Sequence, residues 1–422
     1  MSDFKSILPS DKDRDVGAIQ DLYKVRAPQL PASLMASIGT TKTSITAFFL
    51  LFVFALSLPP KWATLHIAGL GLVAAVGFAR REDWHSTAMR TFLLCTALWL
   101  VPVLLAAMLQ HALGIASAPD WVELPKLVLR MLGIGLGLII LIQRGWLTLH
   151  STVVALLCAL AIHVGAGLVQ LLAEPATSLA AWRQLRINGL VFNPNPFGMF
   201  MALTVVLSAG LLRDKLHCPL LLWALLIAAL LCVWASGSRG AILIVATGLA
   251  VLFPPTNRTR LLIYLGCGVL MASVYLYVAL HMPSLYSHSD TQRMQAFAFS
   301  LEKIRLAPWI GWGLESYEYF PDRVGPNAPH NMWLDIAVSS GLVSLAGALL
   351  STALLAYRLV RCGHPAAQLA LAVFAASVLA GSLEYSILIS THFRGIWVIV
   401  TALACITLST CNTTQRTTPA PV

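Results

Sequence analysis

LLLWALLIAALLCVWASGSRGAILIVATGLAVLF, residues 220–253, is two apolar runs joined by a short polar turn, and Arg239 is its single charged side chain. Runs of this length and composition have one stable setting, a helix that satisfies its own backbone inside a bilayer. The pattern recurs in both directions. Apolar runs precede it at 43–59, 62–79, 91–113, 127–142, 151–173 and 197–212, and follow it at 261–282, 332–356, 366–389 and 395–408. With a span needing roughly 20 residues, the chain is expected to be an all-α polytopic integral membrane protein with about twelve transmembrane helices. Its 58% hydrophobic and 11% charged composition leaves no room for a soluble domain of ordinary size.

Residues 1–42 read as a polar tail without the apolar core and small-residue cleavage site of a signal peptide, and are expected to stay and face the cytoplasm. Helices one to nine fill 43–282. A long outer loop takes 283–330, helices ten to twelve take 331–410, and 411–422 forms a second cytoplasmic tail. Alternating the loops with the N-terminus inside puts the larger share of the 28 lysines and arginines on the inner side, as the positive-inside bias asks. The exceptions gather in three outer segments: 174–196, the turn 236–240, and the long loop. The net charge of +10 follows largely from topology, so the expected partners are membrane lipid and a phosphate-bearing ligand, with no nucleic acid. The eight cysteines show no CxxC or metal-ligand spacing, so no metal site or cofactor is expected.

The long polar interlude 287–335 holds Arg293, Lys303, Arg305, Arg323 and His330. Within it, DTQRMQAFAFSLEKIRLAPW reads as a helix whose stripe of Met294, Phe297, Ala298, Leu301 and Ile304 would lie on the membrane surface or on neighbouring helices. Arg293 falls near its start, where the helix dipole disfavours a cation and favours an anion, and so ranks above Lys303 and Arg305, whose default is a solvated or lipid-facing charged face. Arg239 meets the same dipole argument at the start of its helix, and a bound phosphate would remove the penalty. The alternative is a boundary arginine reaching to the interface. Arg186, in RINGLVFNPNPFGMF, precedes a helix that Pro194 and Pro196 help to start. It is either a headgroup contact or an anion ligand, and Asn193 and Asn195 are either helix caps or part of the same ligand set.

His330 and Asn331 open another helix. A helix N-terminus and nearby arginines disfavour the imidazolium, which would leave His330 able to accept a proton, although a plain interfacial polar residue is the simpler reading. Asp335, about 140° further round the helix, is a poor partner for His330 and could pair with an arginine or tie helices together. Glu384 has no assigned role: an interhelical hydrogen bond or a position near the outer surface would account for it. There is no HExxH or phosphate-binding GxxxxGK[ST] motif, and no Asp-x-Asp outside the polar tail 1–42.

Arg186 with NPNPFG (193–198), SGSRG (236–240), the D-x-x-R start at Asp290, the P-x-x-G-W-G at 308–313, and His330-Asn331 followed by Gly341 resemble the O-antigen ligase and polymerase superfamily. The resemblance implies a GT-C-like membrane glycosyltransferase with its active site on the periplasmic side of the bacterial inner membrane. It implies a glycan donor carried on undecaprenyl diphosphate and, in the ligases, which this chain looks most like, a lipid A-core acceptor. By the same resemblance Arg186, Arg239 and Arg293 would bind the donor diphosphate, His330 would be the catalytic base, and Asn193, Asn195, Asn331 and Asp335 would support them. A polymerase of the superfamily is the runner-up. A transporter of lipid-linked glycan or ions is the competing class; it would need polar sites at the membrane midplane.

Overall fold

The computed structural model describes residues 61–115, 120–174, 185–191, 193–215, 218–254, 288–314, 316–320, 329–384 and 391–417. All regular structure among them is helical: α1 (Lys61–Phe78), α2 (Arg81–Trp84), α3 (Thr87–Ala112), α4 (Asp120–Gln143), α5 (Leu149–Ala173), α6 (Pro194–Arg213), α7 (Pro219–Ala235), α8 (Arg239–Leu252), α9 (His288–Leu306), α10 (Ser316–Tyr319), α11 (Met332–Cys362), α12 (Pro365–Leu383) and α13 (Thr391–Thr417). Seven of the described helices are long and apolar enough to cross a membrane, and three shorter apolar ones accompany them, α7 and α8 included. The expected spans 43–59 and 261–282, and both tails apart from the last turns of α13, lie outside the described residues.

Local chemistry sets the helix starts. Proline occupies the first turn of α6, α7 and α12, where a missing N–H costs nothing. Side chains cap others: Ser86 accepts from Met89 N, Thr148 and Ser151 form a reciprocal box, and Ser238 accepts from Ala241 N. Helices α6 and α13 are the most enclosed, while α3 and α11 leave large apolar side chains such as Leu105 and Leu350 on the outside, as lipid-facing helices do. α6 packs on α5, α7, α8 and α12, and α13 packs on α3, α4 and α12.

Charged side chains tie the bundle together at the end away from the polar loops. Arg213 at the end of α6 reaches Asp214, the Leu252 carbonyl at the end of α8, and Gln368 and the Pro365 carbonyl at the start of α12. Arg144 pairs with Asp83, and Arg358 donates to Thr91 Oγ1 at 2.8 Å.

Two features depart from the sequence expectation. The first is α11, whose 31 residues at about 1.5 Å each run to roughly 46 Å, well beyond a hydrocarbon core of about 30 Å. The helix is broken at Gly341 (φ 81°, ψ 174°), which leaves 342–362 as the membrane-length piece and 332–340 as a separate segment toward the polar loops. The P-x-x-G-W-G segment fills the break. Trp312 N and Gly313 N donate to the Val338 and Ser339 carbonyls, Leu342 N donates to the Pro308 carbonyl, and Gln110 of α3 donates to the Ile310 and Ser339 carbonyls. A Cβ on Gly341 would come within 2.1 Å of the Trp309 carbonyl oxygen. The two glycine motifs are therefore one structural unit.

The second departure is the buried face of α9. Ala296, Ser300 and Lys303 are buried and Phe299 is half-buried, whereas Met294 and Leu301 are exposed. Of the expected stripe at 294, 297, 298, 301 and 304, Ile304 packs on the buried cluster of Ala296, Tyr317 and Val338, while Met294 and Leu301 face outward. Ser300 satisfies its hydroxyl on the Ala296 carbonyl, and Lys303 holds its ammonium over the Phe299 and Phe320 rings, so polar residues enter this face without a loss of partners.

Candidate active site

The segment before α6 is anchored from two sides. Gln170, in the last turn of α5, donates to Asn188 Oδ1 at 2.8 Å and accepts from the backbone of Asn188 and Gly189. Ile187 N donates to the Ala235 carbonyl at 3.2 Å, fixing the segment to the end of α7. Arg186, just before these anchors, has φ 51°, a left-handed backbone that a non-glycine residue adopts at a cost. Asn193 caps α6 by accepting from Asn195 N. Asn195 is not a cap: its Oδ1 accepts from Arg186 at 3.2 Å and its Nδ2 points the other way.

The 236–240 turn packs directly onto this corner. A Cβ on Gly198 would stand 2.6 Å from Ser236 Oγ and 2.8 Å from Ser238 Cβ, so the glycine closing NPNPFG is what lets SGSRG approach. Arg239 opens α8 with an exposed side chain, and its neighbour Gly240 lies against Leu383, the last residue of α12. That brings the arginine turn beside the end of α12.

There the next residue, Glu384, collects the rest. Its side chain is 5% exposed. Oε2 takes the Arg293 guanidinium of α9, Oε1 accepts from Asn195 Nδ2 at 3.0 Å, and His330 Nδ1 stands 3.4 Å from Oε1. Burial works to raise this carboxyl. The His330 hydrogen bond, the charges of Arg293 and His330, and the Asn195 amide outweigh it and hold the carboxyl below its ordinary value. His330, like Arg186, has a left-handed backbone, with φ 50°. Its flank is locked: Asn331 caps α11, accepting from Trp333 N and Leu334 N, and donates to the Ser382 carbonyl at 2.7 Å, while Trp333 Nε1 donates to Ser382 Oγ at 2.8 Å.

Of the residues singled out in the sequence, Asn195, Arg293 and His330 thus meet on one carboxylate and Arg186 is held on Asn195, with Asn193 capping the helix that carries Asn195 and Asn331 the helix that follows His330. Arg239 opens the adjoining helix. Asp335 is fully buried in the first turn of α11, Lys303 is buried among aromatic rings, and Arg305 is exposed. Sequence reasoning offered Glu384 an interhelical hydrogen bond, which it makes with Asn195, but did not place it among the site residues. Its signal was there: it is the only acidic residue after Asp335, and it follows a long apolar helix whose C-terminal dipole disfavours an anion.

No curated protein matches the chain. Residues 224–349 match the family model described as O-antigen ligase. The matched stretch contains Arg239, Arg293, His330, Asn331, Asp335 and the break at Gly341, while Arg186, Asn195 and Glu384 lie to either side of it. Over that stretch, under a third of its length, this helical membrane protein is similar to the O-antigen ligase family.

Proposed function

We propose that the protein is a GT-C-like glycosyltransferase of the ligase type, moving a glycan from undecaprenyl diphosphate to a hydroxyl of lipid A-core at the periplasmic face of the inner membrane. The observation that carries this reading is the meeting of Arg186, Asn195, Arg293 and His330 at one end of the bundle, with Arg239 on the adjoining helix start. A diphosphate leaving group needs its charge neutralised, and planar guanidinium groups do this well. Arg186, Arg239 and Arg293 would hold it, with Asn193, Asn195, Asn331 and Asp335 keeping the surrounding segments in place. His330 would take the proton of the acceptor hydroxyl as the oxygen attacks the anomeric carbon. The new C–O bond forms as the sugar–phosphate bond breaks, the electron pair leaves on the diphosphate, and the configuration inverts. Metal ions have no assigned role in this scheme.

The test is transfer by the purified protein in lipid vesicles, from undecaprenyl-diphosphate glycan to lipid A-core, with added chelator. Transfer to core supports the ligase reading, and growth of the glycan on a second donor molecule would make the protein a polymerase instead. His330→Ala should lower the rate at least about 100-fold with donor binding largely kept. Arg239→Ala should weaken donor binding about tenfold or more, the worth of a charge-assisted hydrogen bond. A fully active His330 variant, or strict dependence on a divalent metal, would sink the scheme.

A further inference from the structure

Glu384 stands where an isolated carboxylate is least stable. It is almost fully buried, and it follows α12 at the helix end whose dipole is negative. It is held there by groups from three other segments: Asn195 from the first turn of α6, Arg293 from α9, and His330 from the lead into α11. None of these is close in sequence, the separation being 189 residues to Asn195 and 91 to Arg293. Two more hydrogen bonds reinforce the link to His330, since Ser382 takes Asn331 through its carbonyl and Trp333 through its hydroxyl. The left-handed backbone of His330 is therefore flanked on one side by a rigid brace to the residue two before Glu384.

Resting on the reading of His330 as the base, we infer that Glu384 is its positioning residue. Its carboxylate receives Nδ1–H, so the lone pair on Nε2 faces the acceptor hydroxyl. When Nε2 takes the acceptor proton, the imidazolium forms against an ionised partner, and Glu384 itself stays unprotonated throughout. At 3.4 Å the Nδ1 contact is long for a hydrogen bond, as catalytic contacts commonly are before substrate binds.

Steady-state transfer should be compared for the wild-type protein, Glu384→Gln, Glu384→Asp, His330→Ala, and the Glu384→Gln/His330→Ala double variant. Glu384→Gln should lower kcat at least about 100-fold with donor KM changed less than about threefold, by analogy with other carboxylate–histidine pairs. Glu384→Asp should recover a large part of that loss. The double variant should be no slower than His330→Ala, because a residue acting through His330 has nothing left to act on. Three outcomes would overturn the inference: wild-type kcat in Glu384→Gln, a raised donor KM at unchanged kcat, or a double variant slower by the product of the single losses. A second measurement does not depend on turnover. Nitrogen-15 histidine spectra of the protein in bilayers, with His330→Ala used for assignment, should show His330 as the Nδ1–H tautomer, and Glu384→Gln should disperse it into a mixture. An unchanged tautomer in Glu384→Gln also overturns the inference. If the wild-type protein transfers nothing, the glycosyltransferase reading fails, and the spectra still decide what Glu384 does to His330.

Discussion

Glu384 shows how one side chain can be simple in sequence and central in space. As a letter in AGSLEYS it is a lone acid after an apolar run, and its partners lie in segments that no local pattern connects to it. Asn193, by contrast, was legible as a cap, because capping is a contact with the next few residues. Lys303 was misread for the opposite reason. A lysine on a loop helix defaults to solvent, and only the folding back of Phe320 over the α9 face turns its surroundings aromatic. The ion pair has a measurable signature. A carboxyl held below its ordinary value contributes stability that is present above that value and lost as pH falls through the folded-state value. At neutral pH the wild-type protein should therefore melt above Glu384→Gln. That gap should begin to close as the pH falls below 4.5 and vanish beneath the folded-state value. Thermal unfolding across the acid range measures it, and a gap that widens on acidification would contradict the assignment.

At the scale of the element, the instructive case is α11. Hydropathy foresees an apolar helix from 332, and the glycine at 341 is visible as a motif position, but the break is a tertiary event. It exists because the 308–313 segment supplies donors and an acceptor to the opened turn, with Gln110 of α3 adding two donor contacts. Gly341→Ala would have to adopt φ 81° with its Cβ against the Trp309 carbonyl. The expected outcome is a loss of about 2–4 kcal/mol in stability and a matching loss of transfer, although the added methyl group touches no site residue. Calorimetry alongside the transfer assay checks this, and a variant of wild-type stability would mean that the helix can run straight through. α8 and α6 were easier to read: their starts carry proline, serine or asparagine at positions where the reason is local.

Over the whole molecule, the described helices place the site segments at one end and the Arg213, Arg144 and Arg358 contacts at the other. Charge bias along the sequence anticipates that separation. It does not anticipate which outer cations meet, because convergence depends on helix packing and not on loop composition. The orientation can be read with a membrane-impermeant thiol reagent on intact cells stripped of their outer membrane. Arg305→Cys, on the exposed face of α9, should label from outside, while the native exposed Cys218, at the start of α7 and the opposite end, should not. Labelling of Cys218 alone would invert the topology. The break in α11 and the shifted face of α9 were both beyond hydropathy, which measures how apolar a segment is and not what it leans on.

The scattering of Glu384's partners along the chain also limits how the protein can be divided. Exchanging residues 224–349 for the equivalent stretch of a relative would carry over Arg239, Arg293 and His330 but leave Arg186, Asn195 and Glu384 with the host. Arg293 and His330 from one parent would then have to meet Asn195 and Glu384 from the other. A working chimera must match at that junction first, so grafts are best cut to keep Asn195, Arg293, His330 and Glu384 from one source.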